Sequence, residues 1–572
     1  MKRLKNEECE ERSCERKRRR AMLALLTAAT ARKHVLFIVS DDLRPTLGAY
    51  GSQALTPTID KLASDGVLFS RAYTQFPWCS PSRQSFMSGR RPDQTRAWTF
   101  TTSFRNALPN ATSLAQHFKN SGWHTASVGK LFHGHNCVRG DANCGPRCHA
   151  NATFEECIQQ PVDADYPHSW DEKPVDYPRV GCGHDAQWCE NDDQEDGCDF
   201  KVASTAIARL EAHAAARSPK PLFLAVGFRD DHLKCKPRHS PATSRRPARP
   251  RLSACNWRGS GAAPARLRKL FDPSALRITA HGATPDFGAV PTMAWMWPAW
   301  VGVTYNLTAE HSLGEAGLRE ALRSYMASIA FTDEQVARIL AAVKSVGYAP
   351  NTLVTLTSDH GQNLGEHNTW TKMTNWEHSL RVPLIISAPW LGPASAGGVH
   401  GGMAELVDLY RTLADLAGAP PVEPGVDGAS LAAAVRAPTS AGKPYAFSQI
   451  QRISIASLKK EKPWNTPSLA TMPAAADAFY DPSCFSSREQ IEWMGYSVRS
   501  AAYRYTEWYR WNGSALRPVA DDAAPSELYD HRNDTSLWDP DASEYENVAG
   551  DAAHAAAEAA LRSVLRAQVF GV

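Results

Sequence analysis

Short hydrophobic runs alternate along this chain with longer amphipathic stretches. Four runs have the length of one strand and little polar interruption, which is typical of strands buried on both faces in a parallel sheet. They occupy residues 34–40, 221–227, 352–357 and 382–387. Helical periodicity is found between them, at residues 112–120, 200–215 and 315–346. Alternating strands and helices predict a doubly wound α/β domain, whose active site lies outside the carboxyl ends of its strands.

Three other segments depart from this alternation of strands and helices. Residues 496–511 alternate between apolar and polar positions, which predicts an antiparallel strand pair and a smaller C-terminal α+β subdomain over residues 446–572. Residues 464–478 have the composition of a loop. Residues 236–268 are rich in Arg, Pro, Ala and Ser, so we predict a disordered insertion within the catalytic domain at 32–445. Such a basic segment can also hold a polyanionic substrate.

The overall composition narrows the class of protein. The chain has 572 residues, of which 43% are hydrophobic and 22% are charged, as in an ordinary soluble globular protein. Its formal net charge of +3 is small for this length, so nucleic acid is not an expected partner. No apolar run approaches the ~20 residues of a membrane-spanning helix, so stable membrane insertion is not expected either.

Residues 1–31 have the pattern of a secretory signal. A charged segment ends in three arginines at 18–20, and an apolar stretch follows that closes on the small residues 29–31. The alternative is a disordered basic tail followed by a short helix. The signal interpretation predicts a secreted protein, or one of the lysosomal or vacuolar lumen.

Cysteines and glycosylation sequons favour the same oxidising compartment. Seven of the thirteen cysteines lie between residues 137 and 198, at irregular spacings without paired C-x-x-C units, so disulfides are favoured over a zinc site. Five Asn-x-Ser/Thr sequons predict a glycoprotein. They begin at Asn110, Asn151, Asn306, Asn512 and Asn533.

Carboxylates follow two of the predicted strands. Asp41 and Asp42 come directly after the first strand, and Asp359 and His360 come after the 352–357 run. Oxygen ligands converging from two strand ends are what a hard divalent cation needs. A pair of Asp residues after a strand is, by itself, more often a turn or a helix cap.

Cys79 stands out from the other cysteines because of the residues that follow it. Pro81, Ser82 and Arg83 begin a helix-compatible run that ends at Gly89, so Cys79 is predicted to start a helix. A helix N-terminus favours negative charge, and Arg83 lies one turn further on. The pattern thus predicts an anion pocket around a nucleophile. The alternative is a structural role, because a lone cysteine usually packs in the core or forms a disulfide.

The run CSPSRQSFMSGR at residues 79–90 resembles the signature of the type I, formylglycine-dependent sulfatases. Met87 and Ser88 replace the commoner Leu and Thr of that signature. Further segments resemble the iduronate-2-sulfatase branch of the family, and the likeness extends from residue 34 to about residue 549. They lie at residues 35–73, 127–133, 357–375 and 494–508. The resemblance implies an alkaline-phosphatase-like fold.

The resemblance also implies roles for individual residues. A separate formylglycine-generating enzyme would convert Cys79 to formylglycine, and one calcium ion would be held at the site. The implied metal ligands are Asp41, Asp42, Asp359, His360 and the modified Cys79. The implied catalytic residues are Cys79 itself with Arg83, Lys130, His133, His232 and Lys372. Arg83 and Lys130 would neutralise sulfate, His133 would bind the formylglycine hydroxyl, and Lys372 and His232 would face the bridging oxygen.

The implied reaction is hydrolysis of a sulfate ester on a sulfated carbohydrate, as in glycosaminoglycan degradation. A hydroxyl of the hydrated aldehyde attacks sulfur, the sugar alcohol leaves with a proton from His232, and sulfate is then expelled. The family expects a basic residue and a proline before that histidine, but Asp230 and Asp231 stand there, so a surface histidine is the alternative.

Three other functions are considered. One is a sulfatase acting on a different sulfated polysaccharide, and one is a phosphatase or phosphonate monoester hydrolase with similar strand-end metal ligands. The third is a glycan-binding protein without activity, in which Cys79 stays a thiol.

Overall fold

A computed structural model describes the chain in thirteen segments. They are residues 32–99, 102–133, 165–175, 198–229, 263–278, 290–291, 293–295, 312–393, 395–454, 479–480, 491–523, 526–534 and 544–571. The predicted leader at 1–31, the cysteines from 137 to 189, the predicted loop at 464–478 and His232 lie outside these segments. Cys198 is disulfide-bonded.

The central sheet contains all four predicted strands. Its strand order is β3-β4-β1-β5-β8-β2-β9. The strands are β1 (His34–Ser40), β2 (Val67–Tyr73), β3 (His124–Gly129), β4 (Leu222–Phe228), β5 (Thr352–Ser358), β8 (Arg381–Ser387) and β9 (Gly398–Glu405). A hairpin of β6 (Asn363–Leu364) and β7 (Trp370–Thr371) interrupts the connection between β5 and β8.

The direction of β8 differs from the prediction. The pairs β3·β4, β4·β1, β1·β5 and β2·β9 are parallel, as expected, but β8 runs antiparallel to both β5 and β2. A strand buried on both faces has the same hydrophobic pattern in either direction. The hydrophobic pattern of residues 382–387 therefore identified a buried strand without revealing its orientation.

Helices cover both faces of this sheet. They are α1 (Pro57–Ser64), α2 (Cys79–Ser88), α3 (Pro92–Thr95), α4 (Leu114–Asn120), α5 (Cys198–Ala215), α6 (Ala265–Arg268), α7 (Gly314–Ser345), α8 (Glu377–Leu380), α9 (Leu409–Ala417) and α10 (Ala432–Arg436). Leu36 and Ile38 of β1 pack with α5 and α7, whereas Val35 and Phe37 pack with α2, α4 and α9. Alternate side chains of β1 thus enter opposite cores, which confirms the doubly wound α/β architecture.

A second, antiparallel sheet follows the catalytic domain. It contains β10 (Ala446–Ser454), β11 (Phe479–Tyr480), β12 (Trp493–Arg499), β13 (Tyr503–Asn512), β14 (Arg517–Ala523) and β15 (Glu527–Asp530). The helix α11 (Ala555–Phe570) packs against it. β12 and β13 pair from Trp493↔Arg510 to Arg499↔Arg504, which confirms the strand pair predicted for residues 496–511.

Of the predicted disordered insertion at 236–268, only residues 263–268 are described. These residues are folded, because they contain α6 and bury Ala263 and Leu267 in the core beside α7. Apolar side chains at this end of the segment reach that core, so this part of the prediction is wrong. Among the described helices, none is long and apolar enough to cross a membrane.

Candidate active site

The carboxyl ends of β1 and β5 bring two pairs of ligand side chains together. The two strands are parallel neighbours in register up to Ser40↔Ser358, so Asp41 and Asp359 leave the sheet side by side. The Asp42 amide donates to Asp359 Oδ1 at 3.2 Å. All three aspartates are buried. The strand ends thus place together the carboxylates that lie more than 300 residues apart in sequence.

The chain turns sharply at Asp42, and a distant tyrosine holds this turn. Asp42 has a φ of 66°, a left-handed conformation that side-chain-bearing residues rarely adopt. The Tyr325 hydroxyl of α7 donates to the Asp42 carbonyl at 2.8 Å and accepts from the Arg44 amide at 2.9 Å. Ser358 Oγ accepts from the Leu43 amide at 2.9 Å. These bonds fix the backbone that carries Asp41 and Asp42.

Cys79 is the first residue of α2, as predicted. Trp78 before it is extended, with φ −153° and ψ 138°, so the chain turns into the helix at Cys79. The thiol is free and buried. Its Sγ lies 3.4 Å from Asp41 Oδ1, 3.3 Å from His360 Nε2 and 3.1 Å from Lys372 Nζ.

Three cations neutralise the three aspartates. Arg83 Nε donates to Asp359 Oδ2 at 2.8 Å, Lys130 is bonded to Asp41, and Lys372 is bonded to Asp42. Arg83 Nη2 is 3.5 Å from Asp41 Oδ1 and has no hydrogen-bond partner among the described residues. A buried donor of this kind needs an acceptor, and an anionic substrate or a modified residue 79 would supply one.

Two glycines allow Lys130 to approach the site. Gly129 has a φ of 78°, and a Cβ there would lie 2.1 Å from the Gly227 carbonyl oxygen. A Cβ on Gly227 would lie 2.1 Å from the Lys130 carbonyl oxygen. The ends of β3 and β4 therefore touch backbone to backbone, and any side chain at either glycine would push Lys130 away.

Burial changes the protonation of the central groups. It raises the pKa of the Cys79 thiol to about 12, with the Asp41 carboxylate adding to the effect. It also raises the pKa of Asp359 to about 7 against the opposing effect of Arg83, and it lowers the pKa of His360 well below its usual value. The unmodified thiol is therefore protonated near neutral pH, and Cys79 lacks the thiolate that an ordinary cysteine nucleophile requires.

The side chains present fit a divalent cation. Asp41, Asp42, Cys79 and His360 each offer one ligand atom, and these atoms all lie within 4.8 Å of one another. Asp359 Oδ2 is 3.3 Å from His360 Nε2, at the edge of the same cluster. Carboxylate oxygens suit Ca²⁺ or Mg²⁺, and a neutral imidazole can complete the set.

The predicted site residues have different outcomes. The structure brings together eight of the ten, and their catalytic roles stay predictions. The residues in the cluster are Asp41, Asp42, Cys79, Arg83, Lys130, Asp359, His360 and Lys372. His133 is partly buried at the end of the described segment after β3, and His232 lies outside the described residues.

Some residues that shape the site were not found from the sequence. Tyr325 lies in the buried pattern of a long helix and looks like any other core residue of α7. Ser82 Oγ donates to the Asp359 carbonyl, which fixes α2 against the end of β5. Ser82 belongs to the Cys79 motif, so its spacing could have indicated a structural role.

Comparisons with known proteins agree with this arrangement. The sequence model of the family described as Sulfatase matches residues 33–419, more than half of the chain. The iduronate 2-sulfatase of Mus musculus is 29% identical over 585 residues, which cover 92% of this chain and 92% of that protein.

Solved structures share the fold. The phosphonate monoester hydrolase SpPMH from Silicibacter pomeroyi aligns with a TM-score of 0.63 and 21% identity, over 94% of this chain and 96% of that one. BT1596, a 2-O GAG sulfatase, aligns with a TM-score of 0.60 and 20% identity, over 94% and 92% of the two chains. These likenesses confirm the alkaline-phosphatase-like fold. By its match to the family over 33–419, the chain belongs to the sulfatase family and is a sulfuric ester hydrolase.

Proposed function

We propose that this sulfatase removes a 2-sulfate from a uronic acid residue of a sulfated polysaccharide, as the name of its mouse relative describes for iduronate. The observation that carries the proposal is the extent of that likeness, which covers 92% of both chains and thus includes the C-terminal subdomain. A likeness confined to the nucleophile motif would support only the general reaction class.

The proposed nucleophile is a formylglycine made from Cys79 by a separate maturation enzyme. Its hydrated aldehyde supplies a hydroxyl that attacks sulfur and a second hydroxyl that lets sulfate leave, which a serine or cysteine lacks. Two features support this proposal. The thiol is buried with a pKa raised to about 12, and it stands among groups that suit an oxygen nucleophile.

The chain's own cations would bind and orient the sulfate group. Lys372 Nζ lies 3.1 Å from the Sγ of residue 79, and Arg83 Nη2 has a hydrogen to donate. Lys130 lies on the Asp41 side of the same pocket. Fixed donors around a buried centre stabilise charge on the sulfate oxygens more strongly than water does. His232 remains the proposed proton donor to the leaving sugar.

A calcium ion is proposed for the cluster of Asp41, Asp42, Asp359, His360 and residue 79. When bound, it would polarise the sulfate and offset the repulsion between the carboxylates. The three aspartates balance Arg83, Lys130 and Lys372, so formal charges of −3 and +3 sum to zero before a cation binds. A divalent cation would make the pocket positive and attract an anionic ester.

The decisive experiment combines mass spectrometry with a substrate comparison. The peptide containing Cys79, from protein made in a host with a maturation enzyme, is expected to be about 18 Da lighter than the cysteine form. The matured protein should hydrolyse an aryl sulfate and a 2-sulfated iduronate disaccharide, and Cys79→Ser should hydrolyse neither. An unmodified, inactive Cys79 would favour the glycan-binding alternative.

Two outcomes of the same comparison would change the substrate. A preference for aryl phosphate or phosphonate ester over aryl sulfate would contradict the proposal and favour the hydrolase class of SpPMH, which shares the fold. Cleavage of a different sulfated polysaccharide, with no cleavage of the iduronate disaccharide, would keep the sulfatase and replace its substrate.

The proposed compartment is the secretory pathway or a lysosomal or vacuolar lumen. This proposal rests on the leader at 1–31 and on the cysteines and sequons of the sequence. A fusion to a reporter that is glycosylated only in the secretory pathway would test it, and a cytosolic, unglycosylated product would reject it.

A further inference from the structure

The chain that leaves the active site after Lys372 is bound residue by residue to the C-terminal subdomain. Asn375 Nδ2 donates to the Gly495 carbonyl at 3.0 Å. Trp376 Nε1 donates to Glu527 Oε2 at 3.0 Å and to the Tyr529 hydroxyl at 3.1 Å. The next residue, Glu377, pairs with Arg499 and Arg504 of β12 and β13. Three consecutive residues are thus attached to the second sheet.

The segment that leads into Cys79 is attached to the same surface. Phe76 and Trp78 pack in one hydrophobic cluster with Met373, Trp376 and the aromatic side chains of β12 and β13. The two segments also touch directly, because the Met373 amide donates to the Pro77 carbonyl at 3.1 Å. The C-terminal sheet therefore holds both the nucleophile's segment and the lysine's segment.

Local conformation alone does not favour the position of Lys372. Thr371 and Met373, on either side of it, both have a φ of 76°. Left-handed conformations cost such residues roughly 1–3 kcal/mol and persist only where the surroundings impose them. The contacts of Asn375, Trp376 and Glu377 with the second sheet are part of these surroundings.

Glu527 is the centre of the strongest anchor. Its buried carboxylate accepts from Trp376, from Tyr529 at 2.7 Å and from Trp508 at 2.8 Å. Two of these donors belong to the C-terminal subdomain and the third belongs to the Lys372 segment. A carboxylate shared in this way holds the Lys372 segment against the C-terminal subdomain. Separating a buried acceptor from its donors costs free energy.

The nearby group of Glu377, His531 and Glu544 has the donors of a metal site, but its neighbours favour a different role. Arg504 bonds to both glutamates, and Arg499 adds a second guanidinium at 3.3 Å from Glu377 Oε2. These positive charges already neutralise the carboxylates. The group acts as an ion-pair link between α8 and the second sheet.

We propose that the C-terminal subdomain positions Lys372 against residue 79, with Trp376 and its bond to Glu527 as the main positioning contact. The inference builds on the proposed function, because it concerns the lysine that would bind the sulfate group. Trp376 does not touch the reacting atoms and acts through Lys372. The smaller subdomain thereby helps to set the geometry of the active site and is not an independent module.

The test compares two tryptophans that donate to the same carboxylate. Trp376→Phe and Trp508→Phe each remove one indole N–H from Glu527, and both side chains are buried in the same cluster. Only Trp376 lies on the Lys372 segment. Kinetics with an aryl sulfate, normalised to the formylglycine content of each preparation, and thermal unfolding would be measured for both full-length variants.

We expect Trp376→Phe to lower kcat at least roughly tenfold with little change in KM, because small displacements of an orienting group are costly in rate. Trp508→Phe should keep kcat within about twofold while losing similar thermal stability, since each variant removes one N–H donor from the Glu527 carboxylate. Equal losses of kcat in both variants, or an unchanged kcat in Trp376→Phe, would overturn the inference.

A second variant covers the case in which Trp376→Phe does not fold. Asn375→Ala removes only the bond to the Gly495 carbonyl, and the same drop in kcat without a rise in KM is expected. An unchanged kcat in that variant would reject the positioning role. An inactive wild-type protein with complete formylglycine would instead refute the proposed function, so the two failures are distinguishable.

Discussion

Removal of the Tyr325 hydroxyl should weaken the cation site without touching any ligand. The hydroxyl bridges the Asp42 carbonyl and the Arg44 amide, at 2.8 and 2.9 Å, across the turn that carries Asp41 and Asp42. In Tyr325→Phe both backbone groups lose this partner, while the ring keeps its place in the core. The left-handed conformation of Asp42 then loses part of its support.

The magnitude follows from the two bonds that are lost. A buried polar group without its partner costs about 1–3 kcal/mol, so two of them cost about 2–6 kcal/mol. Cation binding needs the turn in its ordered form, so part of this cost appears in the dissociation constant. A share of 1.4 kcal/mol corresponds to a tenfold change in that dissociation constant. We therefore expect the Kd for Ca²⁺ to rise at least roughly tenfold.

Tyr50 provides a matched control elsewhere in the same core. Its buried hydroxyl donates to the Phe69 carbonyl at 2.9 Å and accepts from the Leu384 amide at 3.0 Å, so Tyr50→Phe breaks the same two kinds of bond. Calorimetric titration with Ca²⁺ and unfolding in chelator would be measured for both variants. We expect the two variants to lose similar stability. Only Tyr325→Phe should bind Ca²⁺ more weakly. Weakening by the same factor in both variants, or in neither, would refute the reasoning.

Three further predictions concern the cation, the approach of Lys130 and the pH dependence of stability. Chelation with EDTA should abolish aryl sulfate hydrolysis and added Ca²⁺ should restore it; activity that persists in chelator would contradict a metal role. Gly227→Ala should lower both kcat and thermal stability, because its Cβ would meet the Lys130 carbonyl oxygen at 2.1 Å, whereas Gly401→Ala, with nothing within 4 Å, should change neither. Burial raises the pKa of Asp333 from 3.8 to about 6. Between these two pKa values the folded protein therefore keeps this proton while the unfolded chain has lost it. The resulting contribution to the free energy of unfolding, about 3 kcal/mol, is full below pH ~4 and is lost as pH rises through ~6. Asp333→Asn should remove that slope from unfolding free energies measured between pH 4 and 7, and an unchanged slope would show that Asp333 is not its source.

Much of the catalytic domain could be predicted from local pattern. The apolar runs gave the buried strands, because strands covered on both faces need continuous hydrophobic residues. The motif after Cys79 gave the helix that begins there, and the positions of Asp41 and Asp359 after strands indicated one shared edge of the sheet. Each of these features depends on neighbours in sequence.

Other features could not be predicted in this way. The antiparallel direction of β8 leaves no trace in its composition, and α6 lies at the end of a segment whose average composition suggested disorder. The role of Lys372 was assigned only through resemblance to a family. Its placement depends on Trp376 and Glu527, which meet across 151 residues of chain.

The sequence by itself thus determined the strands, the helix of Cys79 and the kinds of side chain that the chemistry requires. Only the tertiary structure decided how those side chains meet. Tyr325 holds the turn at Asp42, and the second sheet holds Lys372 near residue 79. The physical reason is that propensity and hydrophobic period act over a few residues, whereas burial and hydrogen bonding join groups that are distant along the chain.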